Sequence, residues 1–474
     1  MAIKINKRKL SELRSDELLR IDSKFHLDFK GFEWDVFRTA SNNLISLKEL
    51  MEPYYDNFEY RDGDKYKGIP TGREYIDEFG FITAYQEVTK DDHPGRLKYK
   101  IDNDCILISS LKGAITPALN FDFDLDEYVF SNGFYIFKPK EGSNKKFLLY
   151  FLRNQRIKYL LDNVLYRGIG ISTYREDDLL HLKIPYVSKA IQNEVVKKIE
   201  TIEKKLVDLI SKQKDDLIII NQVFGEELGF DWEKFNKLKS QKIFKSSLGE
   251  FSNNVDCRIS YKFHNKAGKY VYDFLSHLTT KRIKDFTEKP IVLGKSVSPK
   301  DYDKEGKYYY IAMSNIKTWA FESEDCNRVN EIYWLENLHK TVQKNDILLA
   351  RSGEGTIGKV ALIEEKNIKA IFADFTQRIR LTNYNHRLAY YYFRSDLFQY
   401  LVYAHKKGLG NNTNIFPSQI QEFPIPDWTM TKQNEIVKKI KTQIDVQRVV
   451  DSEIKKKQDE ISQLIEDTIM KEII

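Results

Sequence analysis

The sequence predicts an α+β protein with two similar mixed α/β domains and two long helices, related by a pseudo-two-fold axis that follows from internal duplication. Three observations lead to this prediction. Short motifs recur in one order at a shift of about 240 residues. An apolar stripe with helical spacing follows the last motif of each half. The chain has 474 residues, of which 41% are hydrophobic, and this is enough for two or three packed cores.

Five pairs of segments carry the duplication and divide the chain into a first and a second repeat. The first two pairs are a basic opening (20–26 and 258–264) and a buried strand that leads into a glycine turn (104–113 and 346–358). The next two are a helical stretch (153–160 and 394–401) and a turn with the pattern basic-Gly-apolar-Gly (167–170 and 407–410). The last is a closing Ile-Pro that is followed by Gln-Asn-Glu (184–199 and 425–440). Agreement of one short segment is common by chance. Five pairs in one order at nearly one shift indicate a tandem duplication.

The stripe after each Gln-Asn-Glu predicts a long helix. Apolar residues step by four and three from Val195 to Leu209, and a similar stripe follows Ile440. Each helix should have roughly 35 to 40 residues and a length of ~55 Å. A single amphipathic helix of this length buries too little of its stripe, so each needs the other helix or a partner protein. Polar residues that interrupt the stripes, and that we expect to fix helix register, are Gln213, Gln447 and Lys457.

These patterns set the expected boundaries. They are 1–187 for the first domain, 188–224 for the first long helix, 225–250 for a linker, 251–429 for the second domain and 430–474 for the second long helix. The linker is polar and rich in Lys, and it contains three glycines. We expect it to pack through Phe230 and Trp232.

Composition restricts the class of protein. The chain has 76 Lys and Arg against 70 Asp and Glu, a net charge of +6, which permits nucleic-acid binding but does not diagnose it. Its three cysteines form no C-x-x-C pair, so we expect no disulfide framework, no zinc site and a reducing cytoplasmic location. No apolar stretch reaches the length of a signal peptide core or a membrane span, which predicts neither secretion nor membrane insertion.

Catalytic motifs were weighed and rejected. Residues 351–359 match most of a phosphate-binding loop, but Val360 replaces the Ser or Thr that holds magnesium, and 360–363 read as a strand. The glycines are therefore predicted to form a turn between two strands. The chain has no Pro-Pro dipeptide, which an amine methyltransferase motif would carry. Acidic clusters at 122–127 and 176–178 lack the Glu/Asp-x-Lys that a nuclease site would have, and we expect no metal and no catalytic group.

Two turns, in equivalent places of the repeats, are rich in groups that can contact DNA. Lys and Arg side chains can bind phosphates, and amide side chains can form hydrogen bonds with base edges. The candidate DNA-binding residues of the first repeat are Lys112, Tyr166, Arg167, Ser172, Thr173 and Arg175. Those of the second repeat are Arg351, Lys359, Lys406, Lys407, Asn411, Asn412, Thr413 and Asn414. The loops differ most where the first repeat has Arg175-Glu176-Asp177 and the second has 415–417, with a length change of one residue.

The doubled motifs resemble the specificity (S) subunit of type I restriction–modification systems. The resemblance covers almost the whole chain and rests on Asp-Ile-Leu-Leu-Ala-Arg-Ser-Gly at 346–353, Gly358-Lys359-Val360, the Lys-Gly-Leu-Gly turn, and Ile-Pro followed by Gln-x-Glu from Gln192 and Gln433. It implies that each globular domain is a target recognition domain that reads one half of a split DNA sequence. It also implies that the long helices pack as an antiparallel coiled coil and dock two modification subunits.

The resemblance further implies the partners and the cofactor. They are double-stranded DNA, two modification (methyltransferase) subunits that carry S-adenosylmethionine, and, where the system has one, a restriction (endonuclease/translocase) subunit. A related type II assembly would use a similar chain. Two other classes stay open at this stage: a nuclease or methyltransferase fused to DNA recognition domains, and a helical scaffold that never touches DNA. Labelled S-adenosylmethionine with DNA would test the first alternative, and filter binding would test the second.

Overall fold

The structure is a computed structural model, and it describes residues 44–72, 74–76, 82–111, 125–154, 157–158, 174–252, 258–316, 318–408 and 412–471. The chain divides into two compact units. Unit 1 comprises Met1–Lys212 with Ser452–Ile474, and unit 2 comprises Gln213–Asp451. Unit 1 thus contains the globular part of the first repeat, and unit 2 that of the second.

The strands of unit 1 form three sheets in its described residues. They are β1 (Leu44–Ser46), β2 (Met51–Pro53), β3 (Asp56–Asn57), β4 (Tyr66–Ile69), β5 (Gln86–Val88), β6 (Leu97–Lys100), β7 (Ile106–Ser109), β8 (Tyr128–Ser131), β9 (Phe134–Pro139) and β10 (Lys183–Pro185). The sheet orders are β3-β6-β8-β4-β5, β2-β9-β7 and β1-β10. Every residue of β7 is buried, as its unbroken apolar run requires, and its side chains join a core with Phe130 and Ile136.

Helices flank these sheets. Those of unit 1 are α1 (Leu47–Leu50), α2 (Lys145–Arg153), α3 (Glu176–Leu180) and α4 (Lys189–Lys212). The stripe of α4 is buried as predicted, at Val195, Ile199, Ile202 and Leu206. The C-terminal part of the last helix also belongs to unit 1, and it buries Ile454, Ile461, Ile465 and Ile469.

Unit 2 has two sheets among its described residues. Its strands are β11 (Val292–Leu293), β12 (Tyr308–Ile311), β13 (Asn327–Val329), β14 (Ile347–Ala350), β15 (Val360–Leu362), β16 (Ala370–Phe372) and β17 (Thr376–Ile379), in the orders β11-β17-β14-β15 and β13-β12-β16. Its helices are α5 (Asp216–Leu228), α6 (Trp232–Lys239), α7 (Leu248–Ser252), α8 (Lys266–Leu278), α9 (Glu331–Glu336), α10 (His386–Arg394), α11 (Asp396–His405), α12 (Pro417–Gln421) and the first part of α13 (Met430–Lys471), with short 3-10 turns between them.

Strand registers confirm the duplication. β4 pairs with β8 in parallel, with Gly68 opposite Val129, and β12 pairs with β16 in parallel, with Tyr310 opposite Ile371. Tyr310 lies 242 residues after Gly68 (310 − 68), and Ile371 lies 242 residues after Val129 (371 − 129). The antiparallel pair of β7 and β9 likewise corresponds to that of β14 and β17. The two repeats therefore share one backbone frame.

A buried glutamine explains why the Gln-Asn-Glu motif is duplicated. In the first repeat the Asn144 backbone N–H donates to Gln192 Oε1 at 2.7 Å, and Asn144 Nδ2 donates to Asn193 Oδ1 at 2.7 Å. In the second repeat the Asn385 backbone N–H donates to Gln433 Oε1 at 2.8 Å. Each glutamine also donates to a backbone carbonyl five residues before it. This glutamine clamp joins the N-terminus of α2 or α10 to the start of the long helix of its repeat.

The long helix predicted over 188–224 is present but interrupted, because α4 ends at Lys212 and α5 begins at Asp216 and continues to Leu228. Asp215 caps α5 by accepting a hydrogen bond from the Leu217 backbone N–H at 2.6 Å, and aspartate is a favoured N-cap residue. Two of the three polar residues expected to fix register, Gln213 and Gln447, lie at this break, whereas Lys457 donates to Glu460 within α13 at 2.6 Å. Gln447 Oε1 accepts from the Lys214 backbone N–H at 2.7 Å, and Gln213 donates to Asp451 at 2.6 Å. The second long helix, α13, is continuous for 42 residues.

Residues 225–250 are not a simple linker. They contain the end of α5, all of α6 and the start of α7. Phe230 packs in the main core of unit 2 together with Phe235, and Trp232 packs against it, as predicted for Phe230 and Trp232. Within the described ranges, no helix combines the length and the apolar character that crossing a bilayer requires.

Candidate nucleic-acid interface

The glycine-rich segment 351–359 is a turn between two strands, as predicted. β14 precedes it and β15 follows it, and the two strands pair antiparallel. Gly353 and Gly358 have φ angles of 83° and 87°, which favour glycine, and a Cβ on Gly358 would lie 2.7 Å from Gln399 Oε1. Because a strand follows the turn, the turn lacks the helix N-terminus that would bind phosphate in a nucleotide site.

A second turn lies beside the first. Its two sides pair through the backbones of Lys407 and Asn414, with N···O distances of 2.8 and 2.7 Å, and Asn414 also forms a bridge with Ser352. Gly408 has a φ of 105°, and a Cβ there would lie 2.2 Å from the Asn412 carbonyl oxygen. Only glycine fits this position without strain. The structure therefore brings together the 351–359 and 406–414 turns that the sequence singled out separately.

Glu354 connects the two turns. Its carboxylate accepts hydrogen bonds from Lys406 Nζ at 2.8 Å and from the Thr413 hydroxyl at 3.0 Å, and Lys262 Nζ lies 3.4 Å away. The hydrogen bond from Lys406, followed by that from Thr413, lowers the pKa of Glu354 to about 2. The carboxylate thus stays charged and keeps the turns together near neutral pH.

This arrangement gives two of the predicted DNA contacts a partner within the protein. Lys406 is only 7% exposed and Thr413 only 1% exposed, and both side chains are hydrogen-bonded to Glu354. The basic residue before the glycine turn neutralises a carboxylate of the neighbouring turn, which sequence spacing does not reveal. Burial disfavours contact of Lys406 and Thr413 with DNA, and both contacts stay predictions.

The other predicted residues of the second repeat reach the surface to different degrees. Asn412 is exposed, whereas Lys407 and Asn414 are half-buried, with Asn414 Nδ2 donating to the Asn412 carbonyl at 3.4 Å. Lys359 is half-buried, with its amine 5.8 Å from the centre of the Trp319 ring. Their contacts with DNA stay predictions. Asn411 lies outside the described residues.

Arg351 lies between two aromatic rings that the sequence reasoning missed. Its guanidinium is 5.8 Å from the centre of the Phe375 ring and 5.9 Å from that of Phe416. The two phenylalanines are 47% and 38% exposed. The exposure of a single aromatic residue cannot be read from the sequence.

In the first repeat the described part of the equivalent surface is small. Tyr174 is buried, and its hydroxyl donates to the Ser109 carbonyl at 2.9 Å. Arg175 is exposed immediately before α3. Five other predicted residues, Lys112, Tyr166, Arg167, Ser172 and Thr173, lie outside the described residues.

The structure also corrects the alignment of these loops. Arg175 precedes α3 as Phe416 precedes α12, so the shift is 241 residues (416 − 175), and Arg175 corresponds to Phe416. The predicted length change of one residue is therefore absent between these described positions.

The acidic clusters have local partners. Asp126 and Glu127 form ion pairs with Lys100 and Lys67. Burial raises the pKa of Glu176, although a hydrogen bond with Tyr55 opposes that shift. Among the residues that the structure describes, no three His, Cys, Asp or Glu side chains are placed to hold a metal ion.

Comparison with known proteins identifies the class. The family model of the type I restriction modification DNA specificity domain matches the chain twice, at residues 35–218 and 276–461. The chain belongs to this family, and both matches fall on the repeats described above. It is a DNA specificity subunit of a restriction–modification system.

Solved structures of similar length were also found. A chain from a study of complex assembly and conformational transition of the type I R-M system is 15% identical, with a TM-score of 0.45, and the match covers 92% of this chain and 98% of that one. The S subunit from M. genitalium is 15% identical, with a TM-score of 0.39 and coverages of 92% and 97%. The HsdS subunit from Thermoanaerobacter tengcongensis is 15% identical, with a TM-score of 0.35 and coverages of 91% and 96%. A comparison with curated proteins gave no match.

Proposed function

We propose that each repeat reads one half of a bipartite, asymmetric DNA target. One observation carries this proposal: the two repeats keep the same strand registers and the same glutamine clamp, but their exposed loop residues differ. Because the two repeats share one backbone frame, the loops of both repeats are presented in the same way. Unlike side chains on equivalent loops should then select unlike bases, because base edges are read by individual side chains.

The proposal includes a non-catalytic role for this chain in the cytoplasm. Methyl transfer then belongs to two modification subunits, which bind S-adenosylmethionine, and cleavage belongs to a restriction subunit where the system has one. This chain contributes the choice of sequence. Incubating the isolated chain with labelled S-adenosylmethionine and DNA tests this division, because transfer of label by the chain alone would contradict it.

The long helices are the proposed docking surface for the modification subunits. Val446 and Val449 lie on one side of α13, three residues apart, and are 55% and 62% exposed. Val207 on α4 is 57% exposed. Large apolar side chains that remain exposed on a helix otherwise buried along its stripe favour contact with another protein. Val446→Glu with Val449→Glu should abolish co-purification with the modification subunits, whereas Val446→Ala should only weaken it.

Mapping methylated sites tests the proposed function directly. Host DNA would be compared with and without this gene, in the presence of the modification subunits of the same system. We expect methylation that depends on the gene at a sequence of two unlike parts with a fixed gap. Methylation that is unchanged by loss of the gene would contradict the proposal.

A spacing experiment tests the role of the helices. Half-sites on one face of DNA have centres about one turn, ~34 Å, apart, and a helix of 42 residues is ~63 Å long. Deleting seven residues from α4 keeps the phase of its apolar stripe and shortens it by ~10 Å. The preferred gap between the half-sites should then change, while the bases read in each half stay the same. An unchanged gap would show that α4 does not set the spacing.

A further inference from the structure

We propose that Arg351, Phe375 and Phe416 form a base-reading site, termed here the Phe-Arg-Phe site, on the second repeat. Its ligand is a base pair of duplex DNA, whose edge Arg351 contacts while the two rings hold the guanidinium and pack against the neighbouring nucleotide. The inference rests on the proposed function and deepens it. It names the three side chains of the second repeat that distinguish bases in one half of the DNA target.

Backbone hydrogen bonds fix the three residues relative to one another. The Arg351 N–H donates to the Phe375 carbonyl at 3.0 Å, and the Ile415 N–H donates to the Arg351 carbonyl at 2.9 Å, one residue before Phe416. The residues follow β14, precede β17 and precede α12, so each lies at the end of a regular element. A site built in this way is preorganised, because it needs no loop to order before it can contact DNA.

The chemistry of the site is unsatisfied in the protein alone. Within the described part of the chain, the buried Nε of Arg351 has no hydrogen-bond acceptor. Buried polar groups normally have partners, and one without a partner calls for an explanation such as a water, an ion or a ligand. An arginine fork matches the two acceptors of a guanine edge in the major groove, and an aromatic ring can contact a thymine methyl or stack on a base.

A purely structural cation–π contact is the competing explanation. Such a contact would be expected to cover the rings, yet Phe375 and Phe416 remain substantially exposed on both sides of the arginine. Two exposed rings that flank one cation form a surface with an apolar rim and a charged centre. That combination suits the edge of a base pair, which offers acceptors beside an apolar methyl group or ring face.

The first repeat has the same backbone at this place but different side chains. The Ser110 N–H donates to the Gly133 carbonyl at 3.0 Å, just as Arg351 donates to Phe375. Ser110 and Gly133 therefore correspond to Arg351 and Phe375, and Arg175 corresponds to Phe416. Serine, glycine and arginine stand where the second repeat has arginine and two phenylalanines. Dissimilar chemistry thus falls on equivalent backbone positions, as two different half-targets require.

Selection from randomised DNA duplexes by the full chain, assembled with its modification subunits, tests the inference. Three chains would be compared: the parent, Arg351→Lys and Phe416→Ala. Lysine keeps the charge but lacks the planar fork of arginine. We expect Arg351→Lys to lose preference at one or two adjacent positions of a single half-target, with the other half unchanged. Its affinity for the parental target should fall about 5- to 150-fold, and its affinity for scrambled DNA should change far less.

Lys344→Ala is the matched control. Lys344 is exposed just before β14, at the opposite end of the strand from Arg351, so its removal takes away one positive charge without touching the site. We expect the control to keep all parental base preferences, and thermal unfolding of every variant should match that of the parent. Identical preferences for the parent, Arg351→Lys and Phe416→Ala would overturn the Phe-Arg-Phe site. If the parent itself selects no two-part sequence, the proposed function fails instead.

Discussion

The two repeats place an ion pair at the same strand position but embed it differently. In the second repeat, Arg380 comes directly after β17 and donates two hydrogen bonds to Asp346, each of 2.7 Å. Asp346 is fully buried. In the first repeat the corresponding Lys138 pairs with Asp102 at 2.6 Å, and both side chains remain about one-third to one-half exposed. The position of Asp346 is taken there by Cys105, which is buried.

This difference shows what a duplicated fold retains. Strand registers are backbone contacts, the glutamine clamp joins a side chain to backbone groups, and both are kept in the two repeats. The ion pair is made by side chains, and its surroundings differ: it is partly exposed in the first repeat, and its carboxylate is buried in the second. Burial raises the pKa of the Cys105 thiol to about 12, so at neutral pH it fills the core as an uncharged group. Side chains on a common frame thus differ between the repeats, in the core and on the exposed loops alike.

The largest expected effect comes from breaking the buried ion pair. Asp346→Ala leaves the Arg380 charge without its partner and should lower the free energy of unfolding by about 3 kcal/mol. Asp102→Ala removes a partly exposed pair and should cost less than about 1 kcal/mol. Urea unfolding followed by circular dichroism would measure both. Equal losses would remove the distinction drawn between the repeats.

The glutamine clamp should behave alike in both repeats. Gln192→Ala and Gln433→Ala each leave a buried backbone N–H and a carbonyl without a partner, which should cost about 1–3 kcal/mol. Gln463→Ala on α13, where the glutamine is exposed, provides the control and should change stability very little. Loss of stability in only one of the two clamp variants would show that the joint has diverged.

A smaller effect is expected at Lys406. Replacing Lys406 by Met retains the apolar stem but removes the amine from Glu354, and should destabilise the second repeat by about 0.5–1 kcal/mol. The slope of DNA affinity against salt concentration should stay the same, because this amine faces the protein. A slope smaller by about one unit would restore Lys406 as a phosphate contact.

The same ion pair gives a pH dependence with a definite sign. The pKa of Glu354 is lowered from 4.5 to about 2, so its contribution to stability is complete above about pH 4.5 and is lost as the pH falls towards 2. Glu354→Gln should therefore remove stability at pH 6 and make no difference at about pH 2. Unfolding curves at several pH values would measure this, and a constant difference across the range would contradict it.

Much of the fold could be predicted from the sequence because apolar periodicity and the duplicated order are local patterns. The strands at β7 and β14, the glycine turn before β15 and the stripes of α4 and α13 were predicted in this way. The break after Lys212 was not predicted, since the break contains neither Gly nor Pro and depends on an aspartate cap and on Gln447 from a distant segment. The polar residues within the apolar stripe do not by themselves show that the helix is interrupted there.

The candidate interface was less accessible to sequence reasoning. Which basic residue faces solvent depends on tertiary neighbours, as Lys406 shows by its ion pair with Glu354. Phe375 and Phe416 have the composition of core residues, and only the packed structure leaves them at the surface beside Arg351. Sequence therefore located the loops, whereas the structure was needed to choose among their side chains.

The central claim is that one frame, used twice, reads two different half-sequences. Selection from a duplex library with a long randomised region, by the chain assembled with its modification subunits, tests it most directly. We expect two unlike blocks of preferred bases, separated by a gap of fixed length without base preference. A single continuous block, or two identical blocks in inverted orientation, would contradict the claim that the repeats have separate specificities.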